Sequence, residues 1–341
     1  MIPTALVLID GSSGLEFDYE IPASLGGRVG VGSRVRIPLR NRPSTGTVVA
    51  LGELQQGEPQ AQHLKPVAAI IGERPILTPT LIELGRWIGN YYCAPMESVM
   101  RSLIPEAVRG ENHDFQRRQF ASLAREAGDE ERATLAKRAP RQSSVLEQLI
   151  DAGKPLAITE FGGGGRAAVE GLVKKGFVEV TMEIVGRDPH RDEHFVASRP
   201  LQLTAAQAAC LSEIGRAIDA PADSKPLLLH GVTGSGKTEV YLQAIARAIE
   251  GGQTALVLVP EISLTPQTVG RFKSRFADMQ DAVAVLHSHL SGGERFDEWH
   301  KIVERQAKIV IGARSALFAP LHNLGLIVVD EEHENSYKQD K

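Results

Sequence analysis

Residues 231–238 read GVTGSGKT, which fits the pattern Gly-x-x-x-x-Gly-Lys-Ser/Thr in full. The apolar run PLLLH (226–230) precedes it and the amphipathic run TEVYLQAIARAIE (238–250) follows. A buried strand, a loop and a helix are therefore expected here. Glycines let such a loop curl until successive N–H groups face one phosphate. Gly231, Val232, Thr233, Gly234, Ser235 and Gly236 supply that cradle. Lys237 then reaches the β- and γ-phosphates, and Thr238 offers its hydroxyl to Mg²⁺. The helix N-terminus adds its positive end.

Working outward, apolar runs alternate with amphipathic ones: TALVLVP (254–260), PQTVGRFKSRF (266–276), AVAVLH (282–287), GGERFDEWHKIVERQ (292–306), AKIVIG (307–312) and LGLIVV (324–329). Buried strands separated by helices imply a parallel sheet covered on both faces. The last run delivers Asp330 and Glu331 about 90 residues after Lys237. At the C-terminal end of a buried strand they fall beside the phosphate loop. Asp330 then suits the Mg²⁺ ligand, and Glu331 suits the group that orients an attacking water. An acidic pair after a strand is also an ordinary solvated turn, and it is the complete phosphate loop that favours the functional reading.

The 341 residues suffice for two or three domains. With 42% hydrophobic and 23% charged residues the chain reads as globular. No apolar stretch reaches the roughly 18 residues that span a bilayer, so no membrane is expected. The start, MIPTALVLIDG, reads as a strand rather than a signal peptide. Cys93 and Cys210 lie far apart and outside any Cys-x-x-Cys pair. That points to a reducing, cytoplasmic setting and to no zinc site in this chain. A net charge of −4 does not suit a general polyanion binder.

Two shifts in composition divide the chain at 1–108, 109–200 and 201–341. The first part carries short β-rich runs between turn residues, TALVLI, LEFDYEI, SRVRIPL, GTVVAL and KPVAAII, and reads as a small antiparallel sheet or barrel. A helix follows in TPTLIELGRWIGNYY, with Leu81, Leu84, Trp87, Ile88 and Tyr91 as its apolar face. The second part opens polar, without a clear core face. From 143 it reads helix, short helix, helix, strand, the order of a winged helix, though a small helical spacer fits too. Gly162 to Gly165 stand where a groove-reading helix needs polar side chains, and only Arg166, Lys174 and Lys175 are basic there. No sequence-specific readout is expected. Residues 186–202 read as an exposed linker.

With Asp330-Glu331-Glu332-His333 the chain resembles a superfamily 2 helicase of the DEAH-like type. LTAAQ, ending at Gln207, resembles the adenine-reading segment of such helicases. VPEISLTPQ (259–267) and GARSALFAP (312–320) resemble the motifs that contact a nucleic-acid strand, with HSHLSGGERFDEW (287–299) between them. Together with LEFDYEIP and SRVRIPL near the start, these motifs are similar to those of the replication-restart helicases, and the similarity covers nearly the whole chain. The resemblance implies a multidomain α/β architecture: a small β-rich domain for a DNA 3′ end, a winged-helix domain, and a RecA-like P-loop lobe with a parallel sheet. It implies a 3′-to-5′ DNA helicase acting in primosome assembly at stalled forks, with ATP and Mg²⁺ as cofactors. Its partners would be forked and single-stranded DNA with a 3′ end, the single-stranded DNA-binding protein and other primosome proteins. It also implies a second lobe, a zinc-binding cysteine cluster and an arginine-bearing motif that this chain lacks. The chain is thus expected to stop inside the first lobe, holding half of an ATP site and turning ATP over feebly.

The resemblance further implies that Phe17 stacks the terminal base, Asp18 accepts from the free 3′ hydroxyl and Lys65 meets a phosphate. Ordinary alternate packing in a strand is the other reading of Phe17 and Tyr19. Where relatives carry glycine this chain has Arg40, which crowds the pocket or adds a phosphate contact. Arg34, Arg36, Arg40 and Arg42 read as a basic edge nearby, or as a solvated strand face. Arg314 suits a phosphate grip without base reading. Tyr337 and Lys338 fall in an aromatic-rich loop that couples DNA contact to hydrolysis in the family, and an end three residues later is expected to leave that loop disordered. His287 and His289 lack a carboxylate or cysteine partner for a metal, and His333 reads as a contact to the absent lobe. Two other classes stay open: a fork-binding module without ATP turnover, and a restriction-type translocase, which the first domain argues against.

Overall fold

The computed structural model describes residues 1–12, 14–40, 42–55, 59, 61–109, 117–125, 127–184, 186–187, 196–221 and 225–337. They form two compact units, Met1–His113 together with Asp188–Lys341, and Asp114–Arg187.

The first unit opens with β1 (Ile2–Ile9), β2 (Glu16–Glu20), β3 (Arg34–Leu39), β4 (Arg42–Leu54), β5 (Lys65–Pro66) and β6 (Ala69–Ile71). They build one sheet in the order β5-β2-β1-β4-β3-β6. Period-2 alternation in β1 sends Ala5, Val7 and Ile9 into a core with Tyr19, Val35, Ile37 and Val48. Arg34 departs from the expected basic edge, being only 2% exposed. Its guanidinium donates to both carboxylate oxygens of Asp10 at 2.9 and 2.5 Å, to Thr47 Oγ1 at 3.1 Å and to the Arg109 carbonyl at 2.9 Å. A buried charge persists only with such acceptors around it, so this side chain serves the fold. Arg36, Arg40 and Arg42 stay exposed.

Three helices follow, α1 (Pro79–Tyr91), α2 (Met96–Leu103) and α3 (Glu106–Arg109). Thr78 caps α1 by accepting from the Leu81 N–H, and Pro79 fits its first position. The buried face of α1 is the expected one in part. Leu81 is buried, and Leu84 and Ile88 pack against the core with Ile82 and Gly85, while Trp87 and Tyr91 are exposed and stack on each other with centroids 5.0 Å apart. Gly85 sets this choice, because a Cβ there would lie 2.8 Å from the Leu103 side chain. The two helices close on that gap.

The unit Asp114–Arg187 contains β7 (Arg117–Leu123), α4 (Asp129–Arg138), α5 (Pro140–Ala152), β8 (Leu156–Ala157), α6 (Gly165–Lys174) and β9 (Val178–Ile184). Its antiparallel sheet runs β8-β7-β9. Leu146, Leu149, Phe161, Val169 and Leu172 fill its core. Strand β7 lies in the stretch read as polar and without a clear core face. Its partner β9 supplies the ladder that its polar sequence does not announce.

The rest of the first unit comprises α7 (Ala205–Asp219), α8 (Lys237–Glu250), β10 (Thr254–Leu258), α9 (Pro266–Arg275), β11 (Val283–Leu286), α10 (Gly292–Val303), β12 (Ile309–Gly312) and β13 (Leu324–Val329). The strands are parallel, in the order β11-β12-β10-β13. Alternate residues bury on opposite faces. Ala255, Val257, Ile309 and Ile311 pack with Tyr241, Ile245 and Phe272 from α8 and α9. Leu256, Leu258, Leu286 and Val310 pack with Trp299 from α10 and with Ile76, Ile82 and Leu103 from the first hundred residues. Trp299 is 1% exposed and donates its indole N–H to the Ile76 carbonyl at 3.1 Å. The N-terminal helices therefore serve as part of the covering layer of this sheet.

Two strand expectations need correction. Pro226–His230 forms no strand, and Leu227 and Leu228 are 54% and 75% exposed. Strand β13 is not buried on both faces, for Leu326 and Val328 point to the core while Leu324, Ile327 and Val329 are exposed. The two departures share a cause. Among the described strands β13 pairs only with β10, so its other edge is open. An apolar run becomes a strand only where a ladder satisfies its N–H and C=O groups.

Candidate nucleotide and DNA sites

The loop Gly231–Thr238 has the backbone its sequence demands. Gly234 and Gly236 take positive φ, 80° and 82°, a region that favours glycine. Gly236 is the N-cap of α8, and Ser235 N–H donates to the Val232 carbonyl at 3.1 Å. Lys237 Nζ lies across the loop and donates to the carbonyls of Gly231 at 2.7 Å and Val232 at 3.3 Å. The ammonium thus already points over the cradle. Gln207 approaches from the other side. Its side-chain N–H donates to the Ser235 carbonyl at 2.9 Å, and its Oε1 accepts from Thr204 N–H at 2.8 Å in a capping box that starts α7.

Asp330 follows β13 and donates its N–H to the Leu258 carbonyl at the end of β10. Tyr241, one turn beyond Lys237 on α8, donates its hydroxyl to Asp330 Oδ2 at 3.3 Å. Burial raises the Tyr241 hydroxyl to about 12, against the neighbouring Thr238 hydroxyl. Burial, with the charge of Glu331, also raises the Asp330 carboxyl, and Lys237 pulls it back. Thr238 and Asp330 therefore both adjoin the Tyr241 hydroxyl, and the charge of Lys237 reaches Asp330. A hydroxyl and a carboxylate suit a hard cation such as Mg²⁺, and the positive-φ loop suits a phosphate. Glu331 stands at φ 48° and is exposed, with His333 Nε2 3.7 Å from its carboxylate.

Tyr337, expected at DNA in a disordered loop, occupies a 3₁₀ turn (Asn335–Tyr337). Its hydroxyl donates to the Asp330 carbonyl at 2.8 Å. The turn is anchored because the ring is half-buried against the core that holds Trp299. Lys338 lies outside the described residues.

The C-terminal ends of β10, β11 and β12 carry further loops on the same rim of the sheet. Glu261 accepts from the Ser288 N–H at 3.3 Å and from its hydroxyl. The rings of His287 and His289 lie 5.8 Å apart. Among the described residues no three His, Cys, Asp or Glu side chains cluster as metal ligands. Arg314 is exposed and opens the 3₁₀ turn after β12.

In the first sheet, β2 pairs with β5 so that Tyr19 lies opposite Lys65. Lys65 Nζ donates to the Arg40 carbonyl at 2.9 Å, and Arg40 takes φ 53°. Tyr19 is buried and bonds the Pro38 carbonyl at 3.3 Å, while Phe17 and Asp18 are exposed. The structure thus gathers Lys65, Arg40 and β2 in one place.

Two further groups escaped the sequence reading. Tyr241 was hidden among core positions, although its spacing of three and four from Thr238 and Lys237 puts all three on one helix face. The ion pair of Glu239 and Arg275, at 2.6 Å, is carried by residues 36 apart, and no local pattern announces it.

Residues 6–105 match the model of the 3′ DNA-binding domain named for PriA, and residues 204–341 match the DEAD/DEAH box helicase model. The chain is similar to the replication restart protein PriA of Bacillus subtilis, 33% identical over 95% of this chain and 48% of that protein. It is similar to the PriA of Haemophilus influenzae, 34% identical over 95% of this chain and 43% of that protein. A shorter match, 46% identical over 51% of this chain, joins it to the PriA of a Synechocystis species. The chain spans about half the length of the curated relatives that it matches along most of its own. Among the described residues no helix is long and apolar enough to cross a membrane. By these matches the chain belongs to the PriA replication restart family and corresponds to the N-terminal portion of its members.

Proposed function

We propose that this chain acts in an ATP-dependent 3′-to-5′ DNA helicase that restarts replication at stalled, branched DNA in the cytoplasm. The observation that carries this is the placing of Thr238 and Asp330 beside the Tyr241 hydroxyl, with the charge of Lys237 acting on Asp330, at the end of a parallel sheet. Gly231–Gly236 and Lys237 cradle the phosphates of ATP, and Thr238 and Asp330 hold Mg²⁺. Glu331 orients the attacking water, and Gln207 lies on the adenine side. Phe17, Asp18 and Lys65 receive the 3′ end of a DNA strand, while Arg314, Tyr337 and Lys338 serve the single strand. Residues 1–108, 109–200 and 201–341 take the three roles of 3′-end domain, winged helix and first RecA-like lobe. For the winged helix the support is a three-stranded antiparallel sheet backed by α4, α5 and α6. Zinc and the remaining lobe are assigned to the portion of the relatives that this chain does not match, and the single-stranded DNA-binding protein and other primosome proteins are the proposed partners.

A second reading, a fork-binding module without turnover, draws on one observation. The segment before the phosphate loop is exposed and outside the sheet, so the loop lacks the strand that anchors it in the reading above. One experiment separates the two. ATP hydrolysis is followed with forked DNA whose 3′ end at the branch is free or blocked, and binding of each fork is measured by fluorescence anisotropy. Turnover stimulated by the free-ended fork supports the helicase. Preference for the free end without turnover supports the module, and no preference for the free end removes both.

A further inference from the structure

The first turn of α8 carries an acid that the reaction above does not use. Glu239 is held almost out of solvent with Arg275 from the last turn of α9. The guanidinium donates to both carboxylate oxygens, at 2.9 and 2.6 Å. The remaining acceptor capacity of Glu239 is also taken. Its Oε1 accepts from the Leu201 N–H at 3.0 Å and from the Gln243 side chain at 2.7 Å. Gln243 in turn donates to the Leu201 carbonyl at 2.9 Å. Both backbone groups of Leu201 are thus gripped from one helix. Three residues earlier, Ser198 N–H donates to the Ser274 carbonyl at 2.9 Å, next to Arg275. A segment without secondary structure, whose Leu201 side chain is exposed, is therefore pinned by its backbone to α8 and α9.

The pinned segment leads straight to Thr204, the N-cap of α7, and Thr204 forms the capping box with Gln207. Gln207 then contacts the phosphate loop through Ser235. The gap there is tight, since a Cβ on Gly236 would lie 2.5 Å from Gln207 Nε2. Hydrogen bonds at either end, joined by the short backbone from Leu201 to Thr204, so link the Glu239–Arg275 pair to the place where Gln207 meets the loop. Charge-assisted, bidentate bonds fix geometry best, and a side chain that reads a base must be held to a fraction of an ångström.

We infer that Glu239, together with Arg275 and Gln243, is a positioning residue that sets the base selectivity of the nucleotide site through the segment Leu201–Gln207. The inference rests on the nucleotide reading of this site. It predicts a division of labour on α8: Lys237 and Thr238 serve the phosphates, and Glu239, on the next position, serves the base through another segment.

The test compares affinities of the chain for ATP, GTP and inorganic tripolyphosphate, by competition with a fluorescent ATP analogue. The unaltered chain should prefer ATP over GTP by about tenfold or more, the scale of one well-placed hydrogen bond to a base. Glu239→Gln keeps size and removes charge, and it should bring that ratio close to one while leaving tripolyphosphate affinity unchanged. Arg275→Lys should do the same in part. In a Gln207→Ala background, Glu239→Gln should have no further effect on the ratio. A loss of tripolyphosphate affinity equal to the loss for ATP would reduce Glu239 to a support of the fold and overturn the inference. An unchanged ATP-to-GTP ratio in Glu239→Gln would overturn it too, as would an unaltered chain without preference for ATP. The underlying nucleotide reading has its own control. If Lys237→Ala keeps its affinity for ATP, that reading fails irrespective of Glu239.

Discussion

The proposed nucleotide site and the proposed 3′-end site sit in one compact unit, yet they are built differently. Around the phosphate loop most of the working groups are held before any ligand arrives. Lys237 bonds Gly231, Gln207 bonds Ser235, and Tyr241 and Tyr337 bracket Asp330. Around the proposed 3′-end residues Lys65 and Tyr19 are each fixed on a backbone carbonyl, and Phe17 and Asp18 are exposed. A preorganised site spends little on reorganisation when charge arrives. An exposed one gains its order, and its screening from salt, only in the complex. Backbone-built sites should therefore tolerate salt and fail abruptly on mutation, and side-chain-built sites should do the reverse.

The largest expected effect erases the contrast. Trp299→Ala removes the side chain that seals the parallel sheet against the N-terminal helices. Truncating a buried Trp costs about 3–5 kcal/mol, and urea unfolding should show that loss, with nucleotide and 3′-end binding falling at the same denaturant concentration. Separate transitions for the two activities would mean that the shared core does not couple them. Lys237→Ala comes next and should divide the sites. Nucleotide affinity should drop by roughly 2–5 kcal/mol, the cost of removing one partner of a close charge pair, while fork binding stays as it was. Asp18→Ala acts in the opposite direction, weakening binding to a free-ended fork by about 1.5–3 kcal/mol. A fork with a blocked 3′ end should be bound as before, with the same salt slope, because no phosphate contact is lost. Equal losses on both forks would make Asp18 a residue of the fold.

Smaller changes sharpen the contrast. Tyr241→Phe removes one hydrogen bond to Asp330, worth about 0.5–1.5 kcal/mol, and titration of Mg²⁺ with nucleotide present should show a matching loss of cation affinity. Stability towards acid tests the first sheet instead. Burial raises the Asp10 carboxyl, but hydrogen bonding and charge from Arg34, with Thr45 and Arg109, outweigh it and hold it below its ordinary value. A depressed carboxyl adds stability above the ordinary carboxylate range, and that stability is lost as pH falls through the folded value. Asp10→Asn should flatten the acid limb of a pH–stability curve, and an unchanged limb would show that the pair is not coupled to unfolding.

What could be read in advance follows the same contrast. The phosphate loop was legible because its conformation is written locally, in glycines that the turn requires and a helix that starts at Lys237. The strands β10, β11 and β12 were legible as continuous apolar runs, since both their faces are buried. Pro226–His230 and β13 looked alike on that criterion and are not, because pairing depends on an edge supplied from elsewhere in the sheet. Arg34 read as surface charge, and only the fold reveals Asp10 beside it. Trp87 and Tyr91 fit the helical period of α1, but the close approach at Gly85 turned the buried face away from them. Glu239 and Arg275 meet across two helices, and nothing in either neighbourhood foretells it. Asp18 and Phe17 stand out by resemblance alone, since an exposed strand face carries no local sign of a ligand.

The bond between Trp299 and the Ile76 carbonyl spans 223 residues of sequence, and this separation has a price in time. A ribosome adds about 5–20 residues per second, so roughly 10–45 s pass between synthesis of the N-terminal helices and arrival of the side chain that covers them. Meanwhile Ile76, Ile82 and Leu103 lack Trp299 and the parallel sheet, with which they share a core in the finished unit. The intervening unit Asp114–Arg187 has its own core and can fold during that wait. The nascent chain thus spends the interval with an apolar face awaiting a partner made much later, the circumstance in which chaperone capture and slow growth temperature have most influence on yield.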